Sequence, residues 1–310
     1  MGFCDGMENY SRHLAQRDAG EPPDTLLDYF GMMGKRDWLL IVDESHMALP
    51  QLSSMYIGDR ERKLKLVKHG YRLPSALDNR PLKDEEFWKR IHQAVFVSAT
   101  PSELELSLAD RKPVDMIIRP TFLCDPQIEV RSSKFRFQDF LAEVKQRAEI
   151  GERTLAVAIS QRDAESMSEF LIENDVKSKY IHCEMTAHKR TEALNELQNG
   201  TIDCLVGVNL LREGLDLPQV SFVAIFSADR KGFLRSEAAI MQAIGRAARH
   251  VDGKAILYAE ATNYTIQNCI EETNRRRTLQ TDYNKHHGQT PQSAQGNSTM
   301  SNSDLAIKGD

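Results

Sequence analysis

The sequence predicts an α/β protein built on parallel sheets, and two observations carry that expectation. From Phe137 onward, short apolar stretches alternate with helix-like ones at the spacing of right-handed strand–helix–strand crossovers. Upstream, two apolar stretches, Trp38–Val42 and Ala94–Val97, each run directly into a polar loop. Strands ending this way deliver side chains to the carboxyl edge of a parallel sheet, where ligands bind.

In chain order, the first thirty residues hold few apolar runs and a turn signal at Gly20-Glu21-Pro22-Pro23. Trp38–Val42 reads as a fully buried strand, 59–70 as an exposed charged helix, and Ala94–Val97 as a second buried strand. Arg119-Pro120 and Asp125-Pro126 bracket a linker, because residues before proline leave the helical region. Helix 137–149 leads to strand 154–159, helix 161–173 and strand 179–182. Helix 187–198, strand 203–208 and strand 222–227 follow, then helix 236–248, strand 255–259 and helix 263–280. After residue 284 the chain is rich in Gln, Ser, Asn and Gly, too polar to offset its ordering entropy, so 285–310 is expected to be disordered.

The 310 residues are 41% hydrophobic and 27% charged, ample for a buried core without disulfide or metal staples. The five cysteines are scattered and show no metal-ligand spacing, which favours free thiols. No apolar run approaches the ~20 residues of a membrane helix, and the N-terminus has no secretory pattern; a cytoplasmic protein is the expectation. The net charge of −5 does not announce nucleic-acid binding, although a local basic groove suffices for it.

The strongest local signal is Asp43-Glu44-Ser45-His46 at the end of the first apolar strand. There one acid, Asp43, can hold Mg2+ and the next, Glu44, can polarise an attacking water; alone, the pair reads equally well as an acidic helix cap. Ser98-Ala99-Thr100 follows the second strand. Gln242 precedes Gly245-Arg246-Ala247-Ala248-Arg249, whose arginines, three apart on a helix, share one face. Two guanidiniums so placed suit a triphosphate, with a solvated basic face as the plainer alternative.

Taken together and in this order, these segments resemble the motifs of superfamily-2 helicases. Asp43–His46 resembles motif II, Ser98–Thr100 motif III, VGVNLLREGLD (206–216) motif V and QAIGRAAR (242–249) motif VI. The stretches between them narrow the resemblance to the UvrB family of the UvrABC excision nuclease. GMENYSRHL (6–14), GEPPDTLLDYF (20–30), VDESHMALPQL (42–52), YRLPSALDNRPL (71–82), VSATPSELEL (97–106) and GFLRSEAAIMQAIGRAAR (232–249) are close to its wording.

The resemblance implies a RecA-like helicase motor. It gives an incomplete first domain over 1–122 (motifs II and III), a complete second domain over 123–284 (motifs IV, V and VI) and the tail. It implies ATP and Mg2+ as cofactors, with Asp43 as the metal ligand. It implies catalytic roles for Asp43, Glu44, His46, Arg246 and Arg249, and nucleotide contacts at Ser98, Thr100, Gly214, Asp216 and Gln242. Damaged double-stranded DNA, UvrA and UvrC are the implied partners, in nucleotide-excision repair.

Two departures qualify it. No G-x-x-x-x-G-K-[ST] loop occurs: at Gly34-Lys35-Arg36 an Arg stands where the loop needs Ser or Thr, and no Gly lies five positions before Gly34. The family's DNA-clamping hairpin and its C-terminal UvrC-contacting helix pair are not legible either. The sequence therefore reads as N-terminally truncated, with negligible ATPase alone. A non-catalytic module docking UvrA or DNA, or a fragment of another DExH-type helicase, are the alternatives. Arg60–Arg72, Arg190, Arg235 and Arg275–Arg277 are candidate phosphate contacts, with solvated faces as the plainer reading.

Overall fold

Apolar β-branched stretches become strands where they can line a sheet, and the intervening stretches become helices where one face can be buried. The computed structural model describes residues 3–32, 38–182, 184–208 and 217–293. The chain forms two units, Met1–Val114 and Asp115–Asp310. The division falls a few residues before the expected 122/123, for an identifiable reason. Segment 115–125 is tied to the last helix: Arg119 N–H donates to Gln280 Oε1 (2.8 Å), Asn284 Nδ2 to Phe122 O (2.7 Å), and Arg275 pairs with Asp115 (2.8 Å).

The first unit contains α1 (Ser11–Leu14), α2 (Leu26–Met32), β1 (Leu40–Val42), α3 (Ser45–Lys68), α4 (Asp84–Trp88), β2 (Ala94–Phe96) and α5 (Glu103–Leu108). β1 and β2 pair in parallel, Leu40 opposite Ala94 and Val42 opposite Phe96. They are not the fully buried strands that their composition suggests. Leu39, Ile41, Val95 and Val97 are 50%, 63%, 45% and 46% exposed, because nothing among the described residues covers that face. The charged helix also begins earlier than expected, at Ser45.

Polar contacts hold this unit together. Asn9 Oδ1 accepts from Leu73 N–H (2.9 Å) while its backbone carbonyl accepts from Ser75 Oγ (2.6 Å). Asp78 binds Arg12 (2.6 Å) and Gly20 N–H (2.9 Å). Buried Arg80 forks onto both oxygens of Glu86 (2.7 and 2.9 Å), donates to Gly20 O (3.0 Å) and lies over the Tyr56 ring. Three family-like stretches, 6–14, 20–30 and 71–82, thus act as one clasp.

The second unit contains β3 (Gln127–Ser132), α6 (Arg136–Glu149), β4 (Arg153–Val157), α7 (Gln161–Glu173), β5 (Ser178–Ile181) and α8 (Ala187–Gln198). β6 (Cys204–Gly207), β7 (Val220–Ile225), α9 (Glu237–Gly245), β8 (Lys254–Ala259) and α10 (Tyr264–His287) complete it. Six parallel strands run in the order β3-β8-β7-β4-β6-β5. Alternation along each strand feeds two cores. Leu155, Val157, Leu205, Val223, Ile225 and Leu257 meet α8, α9 and α10 on one face. Ala156, Val206, Phe222, Ala224, Ile256 and Tyr258 meet α6 and α7 on the other. This is the doubly covered parallel sheet expected.

Three local expectations are corrected. β3 lies in a stretch assigned no element, its Ile128 and Val130 packing at the sheet edge. The helix expected over 236–248 stops at Gly245, and residues 246–248 continue in i→i−3 turns. α10 runs to His287 rather than 280, where Gly288 in the left-handed region ends it. The expected disorder of the tail falls mostly on 294–310, outside the described residues.

Candidate functional site

β1 and β2 carry motifs II and III to the same carboxyl edge, since they are adjacent and parallel. Val97 N–H donates to Val42 O (2.9 Å), and Ser45 N–H returns to Val97 O (3.1 Å), fixing the two loops against each other. Between them Glu44 adopts a left-handed backbone, φ 46°, an uncommon conformation for a non-glycine residue. Asp43 Oδ1 accepts from its N–H (2.9 Å). Such strain persists where the surroundings over-determine it, and it collects at functional sites. The Asp43 carboxylate is solvent-exposed and that of Glu44 partly so.

The remaining residues lock this turn. His46 Nδ1 and Ser98 Oγ share a hydrogen bond of 2.8 Å, and Ser98 Oγ also accepts from Thr100 N–H (3.0 Å). Glu44 Oε2 lies 3.6 Å from the same His46 nitrogen. Motifs II and III are thus joined through His46 and Ser98. Behind them, Ser45 Oγ donates to Glu105 Oε1 (2.8 Å). Burial alone would raise the Glu105 carboxyl, but hydrogen bonds from Ser102 and Ser45 hold it below its ordinary value. Sequence reasoning missed Glu105 as a buried support. Its signal was present: Ser102 and Glu105 form a capping box at the start of α5.

In the second unit, Gln242 lies on α9, while Arg246 and Arg249 follow its end. The shared helical face expected of the two arginines therefore falls beyond the end of the helix. Arg246 is partly buried and Arg249 exposed. Gly214 and Asp216, expected at the nucleotide, lie outside the described residues, as does Gly34-Lys35-Arg36.

Several secondary candidates are held by contacts within the protein. Arg235 is not a surface cation: it is 4% exposed and donates to Val157 O (3.2 Å), Ala158 O (3.1 Å) and Phe226 O (2.8 Å). β4 and β7 send their next helices to opposite faces, so a crevice opens at their carboxyl ends; Arg235 fills it, and burial lowers its pKa to about 10. Arg275 and Arg276 are taken up by Glu272, and Arg277 by Asp125 O. Arg190 donates to His182 O (3.0 Å). Within the basic stretch 60–72, Lys63 is buried against Asp59 (2.8 Å). Glu152, His250 and Asp252 come within 4.8 Å of one another, but the Arg147 guanidinium holds Glu152 (2.7 Å), which makes this an ion-pair cluster.

Comparison with known proteins places these segments in context. A family model described as helicase conserved C-terminal domain matches residues 136–251, and one described as Ultra-violet resistance protein B matches 257–297. A relative named UvrABC system protein B from Nostoc sp. is 53% identical over 292 residues, 94% of this chain and 43% of that protein. The protein of the same name from Acaryochloris marina is 54% identical over 292 residues, 94% of this chain and 43% of that protein. The chain covers less than half the length of these relatives. Among solved structures, a Mycobacterium smegmatis helicase Lhr bound to ssDNA and AMP-PNP is 21% identical with a TM-score of 0.45, covering 89% of this chain and 36% of that one.

Proposed function

Over the span shared with those relatives the chain belongs to the UvrB family, and from that premise we propose that it supplies part of the ATP-driven, damage-verifying motor of nucleotide-excision repair. The observation that carries this reading is the His46–Ser98 contact at the exposed Asp43-Glu44 pair, within a chain 53% and 54% identical to the two named relatives.

The residues present fit a magnesium nucleotide in part. Asp43, exposed at the sheet's carboxyl edge, is the residue that would hold Mg2+. Bound there, the metal and triphosphate supply the charge neutralisation and leaving group of phosphoryl transfer. Glu44 is the general base, with its carboxylate 3.6 Å from His46. His46 and Ser98 transmit the state of the acidic loop to motif III. Arg246 and Arg249 would steady phosphate charge, and Gln242, Ser98, Thr100, Gly214 and Asp216 would contact the nucleotide. Damaged double-stranded DNA, UvrA and UvrC are the partners, and the cytoplasm the compartment, on the family's account.

The 310 residues hold no phosphate-cradling G-x-x-x-x-G-K-[ST] loop, so the chain by itself is expected to turn over negligible ATP. Steady-state ATPase with and without DNA tests this; measurable turnover that disappears in Glu44→Gln would overturn it. A second reading is a non-catalytic module that docks UvrA or DNA. Retention of UvrA on the immobilised chain, with salt-dependent DNA binding and no ATPase, is the outcome that selects it.

A further inference from the structure

β5 is the outer strand of the six-stranded sheet, pairing with β6 alone among the described strands. Asp203 N–H bonds Lys177 O (2.7 Å). In a parallel ladder the N–H and C=O of one residue point the same way and alternate along the strand. Lys177 and Lys179 therefore face β6, and the backbone groups of Ser178 and Tyr180 point to the open edge. A row of such groups is a template for one more strand.

That edge forms the floor of a groove of about 680 Å³, between α7 on one face of the sheet and α8 on the other. The volume is typical of ligand grooves, which run about 300–1,000 Å³. At ~3.3 Å per residue, the four-residue strand β5 pairs with an added segment of about five residues. The α7 wall offers Glu169 and the exposed side chain of Ile172, and the α8 wall offers Ala193, with Met185 at the end. Lys179 on the floor is already neutralised by Glu196. Glu169, Glu184 and Glu192 then outnumber the remaining lining cation, Lys189. At the groove's end the buried Nδ1 of His182 has no hydrogen-bond partner among the described residues.

We propose that this groove is a docking site for an extended peptide strand of alternating basic and apolar residues, which adds to the sheet edge beside β5. The backbone groups along that edge select an extended chain. The acidic rim selects basic side chains, whose stems lie on Ile172. This site uses none of the motif II–III residues and stands whether or not the chain hydrolyses ATP.

The test uses the full chain and a fluorescein-labelled peptide, acetyl-Lys-Val-Lys-Ile-Lys-amide, read by fluorescence polarisation. Saturable binding is expected, weakened at least tenfold by Glu169→Lys, an exposed position whose fold is checked by circular dichroism. The same peptide N-methylated at alternate amides loses the N–H groups of one edge and is expected to bind at least tenfold more weakly. The Glu-Val-Glu-Ile-Glu counterpart is expected not to bind. Equal binding of the N-methylated peptide would overturn strand addition, and no saturation up to millimolar peptide would overturn the site. A concentration-dependent dimer in light scattering that Glu169→Lys abolishes would reassign the groove to a contact between copies.

Discussion

The two units use opposite means of holding strands. In the second, each central strand is buried on both faces, with Phe222, Ala224, Leu205 and Val206 fully enclosed. In the first, two strands of similar composition leave Ile41 and Val95 open, while the polar groups Asn9, Asp78 and Arg80 are among those buried. An apolar run therefore states that a strand can be covered on both sides, and its neighbours decide whether it is. Where they do not, directional polar contacts between distant loops hold the backbone instead.

The largest expected effect breaks the apolar side of this contrast. Phe222→Ala removes a fully buried ring packed against Phe140 and is expected to cost about 3–5 kcal/mol. Both tryptophans, Trp38 and Trp88, lie in the first unit, so their emission follows that unit while far-ultraviolet dichroism is dominated by the helices of the second. The mutation should move the dichroism transition in urea and leave the tryptophan transition in place. Next in size, Arg80→Ala strips the clasp of its fork to Glu86 and its bond to Gly20 O, an expected loss of about 1.5–3 kcal/mol. Here the tryptophan transition should move and the dichroism transition should not. Movement of both in either variant would show that the units unfold together.

The contrast also explains what was legible beforehand. Helices 161–173 and 187–198 were bounded correctly because their apolar periodicity and their N-caps, Ser160 and Thr186, are both local signals. β3 was not, since Pro126, Glu129 and Arg131 make an edge strand look like loop. The end of α10 was misjudged because Gln280 and Asn284 look like exposed polar residues. They are buried, bonding the backbone of 119 and 122, a partnership that only the tertiary fold creates. The carboxylates of motif II were legible as strand-end acids, whereas the support from Glu105 depends on which loop lies behind Ser45. Arg235 looked like a surface cation because sequence does not record that three carbonyls converge on it.

Acid should separate the units more gently. The Arg80 guanidinium, through its hydrogen bonds, brings the Glu86 carboxyl from 4.5 down to about 2. A depressed carboxylate pKa contributes stability that is whole above the unfolded value and fades as pH falls from about 4.5 through 2. The exchange is on the order of 1–3 kcal/mol for a pair this partly screened. Urea midpoints followed by tryptophan emission between pH 6 and 3 should fall in the wild type. In Glu86→Gln they should start lower and fall less. An equal fall in both proteins would remove Glu86 as the cause.

The smallest expected effect is the sharpest test of the contrast. Ile41→Thr keeps a β-branched side chain on β1 but adds a hydroxyl, and at 63% exposure it is expected to change stability by no more than about 0.5 kcal/mol. Val206→Thr makes the same kind of change on β6 at a fully enclosed position. There an unpartnered hydroxyl should cost about 1–3 kcal/mol. If Ile41→Thr instead costs as much as Val206→Thr, the open face of β1 and β2 is covered in solution by another polypeptide surface. Dilution then distinguishes the source: a cost that shrinks as protein concentration falls means that a second copy provides the cover. In that case the polar clasp of the first unit would share its task with an apolar interface.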